Sequence, residues 1–147
     1  MKIPTIWVGC GKFSLQRLEL LISDNQFAPV AFVDINIEKA RSGLKSIKRN
    51  ASEDLRDRVY TTITEAKKKH DAKVCFIFVS SSVHAKLIIE SLKLGMHTFC
   101  VKVIACNQKE FKSIMNVYNS NPESKVLSGS LITMDGSQGN AYFNYSG

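Results

Sequence analysis

The sequence predicts an α/β fold in one domain: a doubly wound, mostly parallel sheet with helices on both faces. Three observations carry this reading. Short runs that are apolar throughout recur at Ile6-Trp7-Val8, Val30 to Val33, Val74 to Val79 and Phe99 to Val101, the pattern of strands covered on both faces. Segments of helical periodicity lie between them, so strands and helices alternate. The first run ends on Gly9-Cys10-Gly11, and a helix opens at once, with Leu15, Leu18, Leu21 and Ile22 at its apolar spacing.

The 147 residues suit one domain with its own core, and 44% hydrophobic with 22% charged residues is an ordinary globular balance. No apolar run approaches the roughly 20 residues that span a bilayer. Lys2 precedes an apolar stretch that breaks at the glycines without a small-residue cleavage site, so it reads as a first strand and not as a signal peptide. Cys10, Cys75, Cys100 and Cys106 form no C-x-x-C pair, which suits reduced thiols and a cytoplasmic setting. A net charge of +7 raises nucleic-acid binding. No aromatic residues interleave with Lys45, Lys48 and Arg49 or with Lys67 to Lys69, so a solvated basic surface is the simpler account.

The elements follow in order. Gly9 lets the first strand turn sharply, and Gly11 leaves room for a pyrophosphate to approach the backbone. The N–H groups of Phe13, Ser14 and Leu15 at the helix start, with the helix dipole, favour its charge. Gly9, Gly11, Lys12 and Phe13 are therefore the candidate pyrophosphate cradle of a dinucleotide-binding, Rossmann-like fold; an unspecialised strand-to-helix turn is the alternative. A third glycine would fall at position 14, where Ser14 is small enough for close packing. The second strand ends on Asp34, 23 residues after Gly11. An acid there accepts hydrogen bonds from the adenosine ribose and repels a 2′-phosphate, which favours NAD; Lys39 and Arg41 nearby keep NADP open.

Asn36 caps a helix to Leu44. Residues 45–57 read as a loop or frayed helix, Val59 to Thr61 as a short strand, and Thr62 or Thr64 caps a helix through Lys69. A strand over 73–79 leads to Ser80 and a helix over 83–94 that stops at Gly95. The strand from His97 closes at Lys102. Asn107 and Glu110 form a variant capping box for a helix to Asn119, and a last strand covers 125–132. The domain thus spans residues 1–132, and 133–147 read as a poorly ordered tail. Gly9, Asp34, Ser80 and Lys102 all end strands on the side where such sheets bind ligands.

Ser80 to Val103, SSSVHAKLIIESLKLGMHTFCVKV, resembles the central signature of the glucose–fructose oxidoreductase / inositol dehydrogenase (Gfo/Idh/MocA) family, P-x-x-x-H, a helix, then G-K-H-V-x-x-E-K-P. His84, Gly95, His97 and Lys102 match in register, and the likeness extends over about the first 130 residues. The resemblance implies an NAD(P)-dependent oxidoreductase acting on sugars or polyols. It implies Lys102 as the catalytic lysine beside the nicotinamide, with Ser80 and His84 contacting the cofactor. Read from its neighbours alone, Lys102 is partly desolvated by Val101, Val103 and Ile104 or is a strand-end lysine reaching solvent, and His84 alone reads as a surface or helix-terminus histidine. No metal is expected, because no carboxylate or thiol accompanies His84 or His97 at ligand spacing.

The chain departs from the pattern where Ser80 replaces a proline and where Val101 and Val103 replace the glutamate and proline around Lys102. The family's C-terminal substrate domain, which also mediates oligomers, is not encoded in the few residues after the last strand. The expectation is the cofactor domain of an oxidoreductase that needs a second domain or partner chain; a non-catalytic dinucleotide-binding or interaction module is the alternative. Catalytic activity, substrate and oligomeric state stay open.

Overall fold

Ile6, Trp7 and Val8 run without interruption into Gly9, and the strand they form lies at the middle of the sheet. The structure, a computed structural model, describes residues 1–47, 53–129 and 143–144. Among them are strands β1 (Ile3–Val8), β2 (Phe27–Val33), β3 (Val59–Tyr60), β4 (Val74–Ile77), β5 (His97–Val101), β6 (Val126–Gly129) and β7 (Phe143–Asn144), with helices α1 (Lys12–Asp24), α2 (Ile37–Lys45), α3 (Glu53–Arg56), α4 (Ile63–Lys69), α5 (His84–Lys93) and α6 (Gln108–Asn119). The sheet order is β3-β2-β1-β4-β5-β6-β7. The first six strands run parallel and β7 is antiparallel to β6. The chain winds outward from β1 to β3, then crosses back to β4 on the other side of β1. That reversal is the switch point at which such sheets bind ligands.

Alternation along β1 sorts the core. Ile6 and Val8 face one side with Ile63, Ala66, Ile88, Leu92 and Ile114, beneath α4, α5 and α6. Trp7 faces the other with Leu15, Leu18, Ala40 and Leu44, beneath α1 and α2. Trp7 stacks on Phe78 at 4.5 Å between ring centroids, and Phe76 and Phe99 extend the aromatic layer across β4 and β5. Both faces are covered, which is why these strands tolerate no polar alternation.

The caps largely fall where local chemistry puts them. Asn36 Oδ1 accepts from Lys39 N at 2.9 Å. Thr62, and not Thr64, caps α4, accepting from Glu65 N at 3.1 Å. Thr64 instead gives its N–H and hydroxyl to Glu90 Oε1 of α5. The capping box at α6 is half formed: Asn107 accepts from Glu110 N, but Glu110 Oε2 takes the N–H of Cys106. Gly95, at φ 74°, follows α5 as expected, and α1 ends on Asn25 at φ 64°, a residue that tolerates the left-handed region.

Two stretches differ from expectation. The strand over 73–79 is shorter, because β1 ends at Val8, opposite Ile77, and leaves little to pair with beyond. The stretch 45–57 contains the single turn α3, and its residues 48–52 lie outside the described residues. So do 130–132 of the last strand and most of the tail reading at 133–147. All four cysteines are free thiols; Cys10, Cys75 and Cys100 are buried and Cys106 is exposed. Among the described residues no helix is long and apolar enough to cross a membrane.

Candidate functional site

The turn after β1 is built on close approach. Gly9 has φ 93°, and a Cβ added there would stand 2.1 Å from the Phe78 carbonyl oxygen. Gly9 is therefore required by the neighbouring strand as well as by the turn. Its N–H donates to the Val33 carbonyl at 2.8 Å, which seats the turn on β2. Gly11 differs: its φ is −72°, which any residue adopts, and a Cβ there would meet nothing within 4 Å. What Gly11 provides is empty space over the start of α1.

No side chain caps α1. Leu15 N donates to the Gly11 carbonyl at 2.9 Å, closing the first helical turn, so the expectation of a free N–H at Leu15 is corrected. The uncapped first-turn positions are Lys12, Phe13 and Ser14. Lys12 lines a separate groove between α1 and α2, and the Phe13 ring lies under the Arg17 guanidinium, 3.9 Å from its centroid; neither lines the cleft that holds Asp34.

Ser14 does more than pack closely. Its hydroxyl accepts from the buried Trp7 Nε1 at 2.7 Å and donates to the Gly9 carbonyl, tying central strand, glycine turn and helix together. Ser14→Ala leaves a buried indole N–H without an acceptor, a cost of about 1–3 kcal/mol. Chemical denaturation should show that loss; an unchanged midpoint would remove Ser14 from this role.

Asp34 stands beside the turn. Its Oδ2 accepts from Cys10 N and its Oδ1 from Asn36 N, both at 2.9 Å. The carboxylate thus links the glycine turn to the entry of α2 and keeps lone pairs for a ligand. Burial, with the Asp34 charge adding to it, pushes the Cys10 thiol up to about 12. Cys10 therefore stays a neutral thiol at physiological pH.

Gly9, Gly11, Asp34 and Ser80 line one cleft of about 530 Å³ at the switch point. Sequence reasoning missed the rest of its wall: Ile35, 94% exposed, with Thr61, Thr62, Val83, Lys86, Leu87 and Glu90. A signal was present. Val83, Lys86, Leu87 and Glu90 share the i, i+3, i+4, i+7 spacing of one helix face.

Lys102 does not line this cleft. It lies in an adjoining groove of about 480 Å³ with Val103, Ile104, Cys106, Phe111 and Ser128. Lys102 is exposed and Val103 is 50% exposed, so the expected desolvation by apolar neighbours is absent. Its N–H donates to the Gly129 carbonyl at 3.2 Å, and the Lys102–Val103 peptide is cis. Val101 turns into the layer beneath Trp7.

His84 also needs correction as a direct cofactor contact. It is 1% exposed. Its Nε2 meets the Val79 carbonyl at 2.9 Å and its Nδ1 meets the Val103 carbonyl, so both ring nitrogens are taken by backbone. His97 opens β5, as expected, and accepts from Lys125 N at 3.1 Å.

Comparison with known proteins agrees with this geometry. Residues 5–126 match the GFO_IDH_MocA profile, described as an oxidoreductase family with an NAD-binding Rossmann fold. No curated protein matches the sequence. Among solved structures, a myo-inositol 2-dehydrogenase from Lactobacillus plantarum superposes with TM-score 0.73 at 18% identity, over 88% of this chain and 36% of that one. The WlbA dehydrogenase of Bordetella pertussis, in complex with NADH and UDP-GlcNAcA, gives TM-score 0.68 at 18% identity over 86% and 34%. A 3-ketoreductase from Actinomadura kijaniata, in complex with NADP and TDP-benzene, gives 0.71 at 12% over 87% and 37%. At these identities the likeness is one of fold. The chain spans about a third of the length of these structures.

Proposed function

The chain belongs to the Gfo/Idh/MocA oxidoreductase family and carries its NAD-binding Rossmann fold, and from that premise we propose that it forms the cofactor-holding part of an NAD-dependent dehydrogenase of sugars or polyols. The observation that carries the proposal is one cleft in which open space at Gly11, an uncapped helix start and the Asp34 carboxylate converge. Those features fit a dinucleotide. The N–H groups at the start of α1 would take the pyrophosphate, and Asp34 would accept from the adenosine ribose hydroxyls. Ser80 would meet the cofactor beyond the pyrophosphate. The bound nicotinamide supplies the hydride acceptor. Lys102, at the end of β5, would hold or move the proton of the reacting hydroxyl.

NAD is favoured over NADP on the positions of the basic residues. Lys39 lines the groove between α1 and α2. Arg41 pairs with Glu38 at 3.4 Å. Neither shares the cleft with Asp34, so nothing basic on α2 offsets repulsion of a 2′-phosphate by that carboxylate. Free thiols suit a cytoplasmic setting.

Calorimetric titration with NAD and then NADP tests the reading. Binding of NAD, with NADP weaker, is expected; a folded chain that binds neither would overturn it. Asp34→Ala should lower NAD affinity roughly 10- to 100-fold, the loss of charge-assisted hydrogen bonds of about 1.5–3 kcal/mol. Unchanged affinity would refute the ribose assignment.

A second reading, a dinucleotide-binding module without catalysis, is favoured by the exposure of Lys102 and by the valines on either side of it. NAD binding without turnover of any polyol, in the chain alone and with candidate partner chains, would select it.

A further inference from the structure

His84 stands in the first turn of α5 and reaches between the carboxyl ends of β4 and β5. Its two ring nitrogens meet the carbonyls of Val79 and Val103. These are not equivalent anchors. Val79 lines the dinucleotide cleft and precedes Ser80. Val103 follows Lys102 and lines the adjoining groove. A single buried ring therefore bridges the wall of the cofactor cleft to the loop that presents the lysine. The loop has few other ties among the described residues: Lys102 N to the Gly129 carbonyl on one side, and Cys106 N to Glu110 with Cys106 Sγ to the Ser81 carbonyl on the other.

We propose that His84 is a positioning residue: it sets the place of Lys102 relative to the cofactor cleft by holding Val79 and Val103 together, and touches neither cofactor nor substrate. The proposal rests on the reading of Lys102 as the proton-handling group. The physical reason is stiffness. The ring is planar and 1% exposed, so it has no alternative partner in water, and its fixed size sets the separation of the two carbonyls. Both carbonyls accept, so holding the two of them takes an N–H on each ring nitrogen, and a ring bonded in this way stays wedged between them. The exposed ammonium of Lys102 has no comparable packing of its own. Its position is inherited from the backbone that His84 holds.

The test is amide hydrogen exchange by NMR on the full chain, with NADH titration, for wild type, His84→Gln and His84→Ala. Exchange at Lys102, Val103 and Ile104 should accelerate at least about tenfold in both variants, and less in His84→Gln, which keeps one donor. Amides of β1 and α1 should keep their protection. The NADH-induced shift at Gly11 should persist, and the shift at Lys102 should be lost. Unchanged exchange at Lys102 to Ile104 would overturn the proposal. So would protection lost evenly along α5 in step with a lower melting temperature, the result of a merely structural histidine. If His84→Ala does not fold, His84→Gln decides. If wild-type Lys102 shows no NADH shift while Gly11 does, the proton role of Lys102 fails, and the exchange data still judge the clamp.

Discussion

Gly11→Val is expected to abolish NAD binding in a protein that still folds. The added isopropyl group enters space that no atom of the chain occupies within 4 Å of a Cβ, so the fold has nothing to clash with. Gly11 is the N-cap of α1 in extended backbone, and valine caps poorly, which costs about 1 kcal/mol. The ligand pays far more. A pyrophosphate held off the helix start loses several charge-assisted hydrogen bonds of about 1.5–3 kcal/mol each, so affinity should fall more than about 100-fold. Calorimetry beside a thermal melt separates the two effects. Retained binding would mean that the pyrophosphate does not pass over Gly11.

The opposite outcome is expected for Gly9→Ala, which should not fold stably. The new Cβ would lie 2.1 Å from the Phe78 carbonyl oxygen and 2.9 Å from its carbon, and φ at that residue is 93°. Phe78 cannot retreat freely, because its N–H donates to the Val8 carbonyl at 2.8 Å. Relief means parting β1 from β4 at the centre of the sheet. A cost above about 4 kcal/mol is expected, against a typical total stability of about 5–15 kcal/mol. Soluble yield and a denaturant titration measure it. A wild-type midpoint would show that the turn relaxes without disturbing β4.

The two glycines of one motif thus answer to different demands, and the sequence alone does not divide them. Both were legible as a turn after an apolar strand. That Gly9 is needed by Phe78, 69 positions on, depends on a pairing between strands that no local pattern encodes. The same limit explains His84. Its place in a helix start was legible, and its burial was not, because the ring is held between the carbonyl of Val79 before it and that of Val103 after it. Lys102 shows the converse: apolar neighbours in sequence suggest desolvation, yet in the strand-end loop Lys102 is exposed and Val103 is half exposed. Features that live within one turn of chain were read correctly, such as the caps at Asn36 and Asn107. Choices that another helix makes stay open in the sequence, as between Thr62 and Thr64, where Glu90 takes Thr64 and leaves Thr62 to cap α4. Asp34 was legible as the acid closing β2, but its bond to Cys10 N belongs to the assembled sheet.

The central position of β1 has a consequence for how the cleft comes into being. Val8 pairs with Val33, 25 positions on, and with Ile77, 69 positions on. Loop-closure entropy makes the first pairing the easier one to form, so β1, α1 and β2 can associate before β4 docks. Before it docks, Phe78, Val79 and Ser80 are missing from the wall, and a half-assembled chain has no dinucleotide cleft. NAD then recognises the finished fold alone, and its binding adds to stability in full: about 2.7 kcal/mol at one hundred times the dissociation constant. The equilibrium stability of the folded chain is in this way tied to the concentration of its cofactor.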